Sequence, residues 1–340
     1  MKVEEFDYYL PPELIAQEPV EPRDSSRLMV LYRNGDIEHR VFRDIVSYFE
    51  PGDCLVINDT RVIRARLSGY RRDTGGKVEI LLLSEAAPGI WEVLVRPGRR
   101  ARVGTELYFG GGELVARVLG KTQSGGRLVS FDSGGAPLQD MLERLGSIPL
   151  PPYIKAPLEQ DERYQTVYAM RRGSVAAPTA GLHFTPELLD SIRSLGVRVV
   201  PVTLHIGLGT FRPVKVEEVE QHEMHEERYQ LAPEAASAIN EARSTGGRIF
   251  AVGTTCTRVL ETCAGDGHVV PRTGSTRLFI YPGYHFKVVD ALITNFHLPR
   301  STLLMLVSAF AGRENILRAY NIAIQHRYRF YSFGDAMLIL

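Results

Sequence analysis

Arg248-Ile-Phe-Ala-Val-Gly-Thr-Thr-Cys-Thr-Arg-Val-Leu-Glu-Thr-Cys263 decides the fold. It predicts a strand over 248–252 that runs through a glycine into a helix over 255–263. The same alternation recurs on both sides. A helix over 186–195, with Thr185 as N-cap and Pro186 at its first position, precedes a strand over 198–204. A strand over 290–294 leads through a loop into a helix over 301–310. Strands and helices in alternation predict an α/β layer, whose ligand sites form in loops at the strand carboxyl ends.

Residues 61–135 have another texture. Short β-rich runs at 62–70, 77–84, 91–96, 106–109, 114–119 and 127–132 are separated by glycine turns, with no long helix among them. Such a run predicts a small antiparallel barrel or sandwich. It ends in a short helix over 137–145 and the stiff Pro149-Leu-Pro-Pro-Tyr153. The first sixty residues hold strand-like runs at 27–32 and 53–58, too few to fold alone. The expected organisation is therefore a mixed-sheet α/β domain built from 1–60 plus 152–340, with a small all-β, barrel-like domain of 61–151 inserted in it.

The 340 residues are 44% hydrophobic and 24% charged, as in ordinary globular proteins and unlike disordered chains. Forty basic residues balance forty acidic ones, which argues against a simple polyanion-coating protein. The zero is a cancellation. Residues 60–104 carry ten basic and four acidic side chains, residues 1–59 six and thirteen, and residues 213–245 three and eight. Only six of the basic residues are lysines, leaving 34 arginines, the residue that grips phosphate with two prongs and stacks on flat bases. Three cysteines without a CxxC suggest a reducing compartment. The acidic amino terminus lacks a signal-peptide pattern, and the longest apolar run, 303–311, falls short of the roughly 18 residues a membrane span needs. A soluble cytoplasmic protein, acting as a monomer and without membrane contact, is expected.

Several stretches carry chemistry. His222-Glu-Met-His225-Glu226 looks like part of a zinc signature, but its histidines are three apart instead of four. Without metal, a histidine there is a candidate acid or base, oriented by Glu226. Gly173-Ser-Val-Ala-Ala-Pro-Thr179-Ala-Gly-Leu-His183-Phe-Thr185 runs small residues into a helix start, where free N–H groups can meet a polar ligand. Close packing explains the small residues equally well, though not His183 and Thr179. In Val202-Thr-Leu-His205-Ile-Gly207-Leu-Gly209-Thr-Phe211 the third glycine of a dinucleotide fingerprint is missing, so a turn passing close to a ligand is the better reading. Thr254 and Thr255 sit at a strand-to-helix turn, where they either hold a carboxylate or merely cap the helix.

The aromatic stretch Phe279-Ile-Tyr281-Pro-Gly-Tyr284-His-Phe286 offers ring faces to a flat base or a cation, or simply fills the core. The loop that follows the next strand carries Asn295, His297 and Arg300, which packing explains less readily. In the basic segment, Arg61, Arg64, Arg66, Arg71 and Arg72, then Arg96, Arg99, Arg100 and Arg102, form either a solvated face or a reader of RNA phosphates. On a strand, Arg64 and Arg66 would point to one side.

Taken together these stretches resemble a known family, the S-adenosylmethionine:tRNA ribosyltransferase-isomerases of queuosine biosynthesis. The resemblance also covers Arg23-Asp-Ser-Ser-Arg-Leu-Met-Val, Asn58-Asp-Thr-Arg-Val, Val95-Arg-Pro-Gly-Arg, Thr294-Asn-Phe-His-Leu-Pro and Gly334-Asp-Ala-Met, and so runs nearly end to end. Cys256 stands where serine is usual. The resemblance implies transfer and isomerisation of the ribosyl part of S-adenosylmethionine onto 7-aminomethyl-7-deazaguanine at the tRNA wobble position. Epoxyqueuosine forms, adenine and methionine leave, and no metal takes part.

Under that resemblance, a base close to the ribose C5′ forms an ylide beside the sulfonium, and His205, His225 and His297 are the candidates, with Glu226 as orienter. Thr179, His183, Gly207, Gly209, Thr254, Thr255, Tyr281 and Tyr284 are candidates to hold S-adenosylmethionine, with Tyr281 or Tyr284 facing the sulfonium. Asp59 or Asp290 would pair with the aminomethyl arm, Asn295 is a further candidate to bind the substrate, and Arg61, Arg64, Arg66, Arg99 and Arg100 would meet the tRNA. The wobble base must be splayed out of its stack to be reached. Two other classes compete: a metal-dependent hydrolase built on His205, His222, His225 and His297, and a non-catalytic RNA-binding module.

Overall fold

Ile249–Val252 is a fully buried strand that passes at Gly253 directly into a helix ending at Thr262. It lies in the middle of a nine-stranded mixed sheet of a computed structural model that describes residues 1–122, 125–207, 214 and 216–340. Across the sheet the order is Arg272–Thr276, Glu227–Leu231, Arg198–Leu204, Cys54–Asn58, Ile249–Val252, Ala291–Asn295, Ala336–Ile339, Arg27–Leu31 and Ile37–Val41. The four strands from Arg198–Leu204 to Ala291–Asn295 run parallel to one another. The Ala336–Ile339 strand turns antiparallel to its neighbour Ala291–Asn295 and pairs in parallel with Arg27–Leu31. The central strands read as continuous apolar runs because both of their faces are covered. Leu55, Ile57, Phe250, Val252, Ile293 and Leu338 share one cluster with Phe184, Leu188 and Ile192.

Local signals set the helix starts. Thr185 accepts a hydrogen bond from Leu188 N and Ser301 one from Leu304 N, each at 3.1 Å. The helix expected from Thr255 begins two residues earlier, at Gly253. This glycine has φ +84°, a conformation costly for other residues, and so makes the turn by itself. Thr254 and Thr255 therefore lie inside the first turn, and no side chain caps this helix.

Contacts divide the chain into two units: Met1–Arg61 with Pro152–Arg171 and Ala177–Leu340, and Val62–Pro151 with Arg172–Ala176. In the second unit, Arg66–Arg71 pairs antiparallel with both Lys77–Ala87 and Glu106–Phe109, which closes six strands into a barrel. Alternate residues point inward, among them Leu67, Val78, Ile80, Leu82, Leu107 and Phe109, all buried. At the closure, a Cβ on Gly69 would lie 2.1 Å from the Tyr108 carbonyl oxygen, so only glycine lets the two strands meet there. The strand expected over 62–70 is broken into Thr60–Val62 and Arg66–Arg71. Arg64 falls in the break, so the alternation argument that put it on one side with Arg66 does not apply.

Candidate active site

Four parallel strands end side by side, and each delivers a polar group. Asp59 follows Cys54–Asn58, His205 follows Arg198–Leu204, Thr254 and Thr255 follow Ile249–Val252, and Asn295 ends Ala291–Asn295 with His297 two residues on. A cleft of about 670 Å³, open solvent at its mouth included, lies at this edge. Thr179, Ile206, Thr254, Thr255, Asn295 and His297 line it, together with Tyr153, Tyr331 and Ser332.

Asn295 is held by a chain of bonds. Thr179 Oγ1 donates to Asn295 Oδ1 at 2.8 Å, and Asn295 Nδ2 donates to His183 Nε2 at 3.1 Å. His183 Nδ1 meets Ser26 Oγ at 2.7 Å, and the ring stacks on Phe42. Because Nε2 accepts, the ring proton sits on Nδ1. Burial first, then the positive charges of Arg329 and Arg23, push the His183 pKa down to about 3. His183 is thus a neutral strut that fixes the Asn295 amide, and it does not line the cleft. His297 is also held neutral by burial, at about 3, with Nε2 2.8 Å from Thr294 Oγ1. Its backbone N donates to Tyr320 OH at 3.0 Å, and its carbonyl accepts from Tyr8 OH.

These two histidines make a stability prediction. In the unfolded chain each binds a proton as pH falls through about 6.5, whereas in the folded protein neither does until about 3. Stability is therefore complete above 6.5 and falls between 6.5 and 3, at up to about 1.4 kcal/mol per pH unit for each histidine. Urea denaturation between pH 7.5 and 5.5 should show this loss, and His183→Gln should flatten part of it; a level profile would contradict it.

His205 is in a different setting. Its Nδ1 lies 2.8 Å from Thr60 Oγ1, and Thr60 Oγ1 itself donates toward the Arg171 carbonyl at 3.4 Å. Nδ1–H is therefore the donor to Thr60, which leaves the lone pair on Nε2. Burial lowers the His205 pKa, while the nearby Asp59 carboxylate opposes that shift. Asp59 is buried, accepts from Thr203 Oγ1 at 2.6 Å and faces Arg171 Nε at 3.4 Å.

Other expected residues lie elsewhere. His225 is exposed, and Glu226 is bound to Arg277 at 2.8 Å and to Ser275, so Glu226 does not orient His225. Tyr284 OH donates to Glu261 at 3.1 Å, and Glu261 in turn gathers the backbone N–H groups of Lys287, Val288 and Val289. That buried carboxylate staples a turn, which commits Tyr284 to structure. Tyr281 packs against Phe279 at 5.0 Å, and His222 meets the same Phe279 edge-on. Asp290 binds Ile249 N at 2.8 Å at the amino end of the parallel strands, the end away from the cleft. Gly207 N donates to Glu227 at 3.0 Å, while Gly209 lies outside the described residues.

Arg61 pairs with Glu162, and in the barrel unit Arg64 donates to the Glu143 carbonyl at 2.8 Å. Arg66 lies 3.8 Å from Glu79, while Arg99 and Arg100 are exposed on a single turn, Gly98–Arg100. Among the described residues, no group of three or more His, Cys, Asp or Glu side chains is arranged to hold a metal ion, so the four histidines do not gather. No helix among them is long and apolar enough to cross a membrane.

Sequence reasoning missed Ser26, Thr60, Tyr153, Tyr331 and Ser332. Tyr153 and Tyr331 pack with ring centroids 4.8 Å apart, and Tyr153 OH meets Ser332 Oγ at 2.7 Å. Tyr331 has φ +71°, an uncommon conformation for a bulky residue. Its N–H donates to the Phe296 carbonyl, and its carbonyl accepts from Gly334 N. Buried Asp335 ties this loop down by accepting from Arg27 N at 2.9 Å and Arg329 N at 2.8 Å. Gly334-Asp-Ala-Met was the available signal: an acid beside a glycine that leads into an apolar strand.

Comparison with known proteins covers the whole chain. The family model described as "Queuosine biosynthesis protein" matches residues 3–339. The S-adenosylmethionine:tRNA ribosyltransferase-isomerases of Caldanaerobacter subterraneus subsp. tengcongensis and Moorella thermoacetica are each 61% identical to it over 100% of both chains. The crystal structure of S-adenosylmethionine tRNA ribosyltransferase from Thermotoga maritima matches 99% of this chain and 100% of its own, at 46% identity and a TM-score of 0.58.

Proposed function

This chain belongs to the queuosine biosynthesis family of S-adenosylmethionine:tRNA ribosyltransferase-isomerases, and we propose that the cleft at the ends of its four parallel strands is where the transfer occurs. S-adenosylmethionine is the co-substrate, and its ribosyl carbons pass to 7-aminomethyl-7-deazaguanine at the tRNA wobble position. Adenine and methionine leave, and epoxyqueuosine remains in the tRNA. The observation that carries the site is the convergence of Asn295, His297 and the Gly253–Thr255 turn on one cleft, at the strand edge where His205 follows Arg198–Leu204, the usual ligand position in such sheets.

The reaction begins with loss of a proton from C5′, next to the sulfonium. His205 is the base in this reading: Thr60 fixes its ring through Nδ1, Nε2 is free to accept, and Asp59 steadies the imidazolium that results. His297, more deeply buried and held neutral by that burial, shapes the cleft as a neutral ring. Asn295 has a second amide hydrogen beyond the one given to His183 and offers it to the bound ligand. The Tyr153–Tyr331 pair supplies the aromatic faces for the cation, a role expected from sequence at Tyr281 and Tyr284.

The barrel unit is read as a tRNA contact. Arg99 and Arg100 are exposed, while Arg61 and Arg66 face carboxylates at home. Arg99→Glu with Arg100→Glu should weaken tRNA binding at every sequence and lower the slope of log K against log salt by about 2. An unchanged slope in a filter-binding titration would remove these residues from the interface. Three buried free cysteines fit a reducing, cytoplasmic setting.

The reading is tested by incubating the protein with S-adenosylmethionine and tRNA carrying the aminomethyl base. Adenine and methionine should appear in equal amounts, and neither should form with tRNA lacking that base. Binding of the tRNA without adenine release would favour the non-catalytic RNA-binding class instead.

A further inference from the structure

Beside the cleft lies a second, smaller pocket that shares Thr254, Thr255 and Leu303 with it. Its walls are mostly apolar, from Met224, Leu278, Phe279 and Leu306 among others, and the one acid and one base among them, Glu227 and Arg258, are bonded to each other. Thr255 stands at the seam. The residue is nine-tenths buried, and its Oγ1 has no hydrogen-bond partner, although it does not cap the helix. A buried hydroxyl left unmatched costs about 1–3 kcal/mol, so a native protein carries one where something else satisfies it.

The ten-residue helix Gly253–Thr262 starts at this seam, and its first N–H groups have no acceptor within the helix. Gly253 keeps the approach open: a Cβ there would lie 3.6 Å from Thr255 Oγ1 and 3.5 Å from the Ala180 side chain. Donors from a helix start and a free hydroxyl favour a carboxylate. Apolar walls next to them suit a short thioether chain.

The geometry points to this seam as the subsite for the amino-acid end of the co-substrate, with the α-carboxylate on the Gly253–Thr255 turn and the methionine chain over the smaller pocket. The inference rests on the reading of the cleft above and deepens it by giving S-adenosylmethionine a direction. The adenosyl end then lies toward Asn295, Tyr153 and Tyr331. Methionine, as leaving product, occupies the same pocket.

The test compares S-adenosylmethionine with its decarboxylated form, which keeps the sulfonium, ribose and adenine but lacks the carboxylate. With wild-type protein, kcat/KM for adenine release should be about 10- to 100-fold lower for the decarboxylated compound, as for loss of a hydrogen bond to a charged group. Thr255→Val should lower kcat/KM for S-adenosylmethionine about 10-fold while leaving the decarboxylated compound within about twofold, and Thr255→Ser should restore discrimination. Valine matches threonine in shape and removes an unmatched buried hydroxyl, so the variant should fold; circular dichroism and a melting curve check that.

Equal losses on both substrates, or no discrimination by an active wild type, would overturn the subsite. A wild type that releases no adenine from either compound would instead overturn the reading of the reaction.

Discussion

Replacing His205 by Gln is expected to lower the turnover of adenine release by about 100-fold or more, the usual cost of removing a positioned general base. Thr60 holds Nδ1, so the ring presents Nε2, and a glutamine cannot take up a proton from C5′ whatever its hydrogen bonds. His205 must be neutral to act. Burial lowers its pKa below the ordinary 6.5, so activity should persist into mildly acidic solution and fall only as pH drops through that lowered value. In His205→Gln the acid limb of the pH–rate profile should disappear along with the rate. Asp59→Asn removes the charge that opposes the shift, so the limb should move to still lower pH as the rate falls. Near-normal turnover of His205→Gln would contradict the assignment outright, and His297→Gln then becomes the variant to compare.

Arg258→Met is expected to destabilise the protein by about 3–5 kcal/mol, because it strands a buried carboxylate. Arg258 and Glu227 are both more than nine-tenths buried and bonded to each other. The guanidinium also donates to the carbonyls of Leu278 at 3.0 Å and Thr276 at 3.4 Å, while Glu227 accepts from Gly207 N at 3.0 Å. Few surface exchanges would cost so much, because an exposed pair is worth about 1 kcal/mol or less. The double variant Arg258→Met with Glu227→Gln should recover a large part of the loss, since no charge is then left without a partner. Urea denaturation of the two variants beside wild type measures this. A single variant within about 1 kcal/mol of wild type would mean that the pair is not desolvated in solution.

Much of this was legible in the chain. The strand-to-helix passage around Gly253 and the β-rich run after residue 61 show in local pattern, because apolar periodicity and glycine turns are local properties. Thr179, Thr254, Thr255, Asn295 and His297 could be singled out because each stands where a strand or small-residue stretch gives way to a helix. Other features depend on long-range pairing. That Arg27–Leu31 lies beside Ala336–Ile339 follows from the order of the sheet, and so do Ser26 behind His183 and Tyr331 facing the cleft. Charge misleads in both directions. Glu261 and Glu227 look like surface acids in sequence and are buried anchors, whereas Glu226, the expected orienter, is exposed and bonded to Arg277. Aromatic clusters are similarly ambiguous, since Tyr284 serves the Glu261 staple while Tyr153 and Tyr331 line the cleft.

The most direct measurement follows the ribose. S-adenosylmethionine carrying ¹³C at every ribosyl carbon is incubated with the protein and tRNA bearing 7-aminomethyl-7-deazaguanine, and the wobble nucleoside is then analysed by mass. If the chain moves the ribosyl group, all the labelled carbons of one ribose appear in that nucleoside, and unlabelled adenine and methionine are released in step. A wobble nucleoside that gains no label, or gains only a methyl group, would contradict the account.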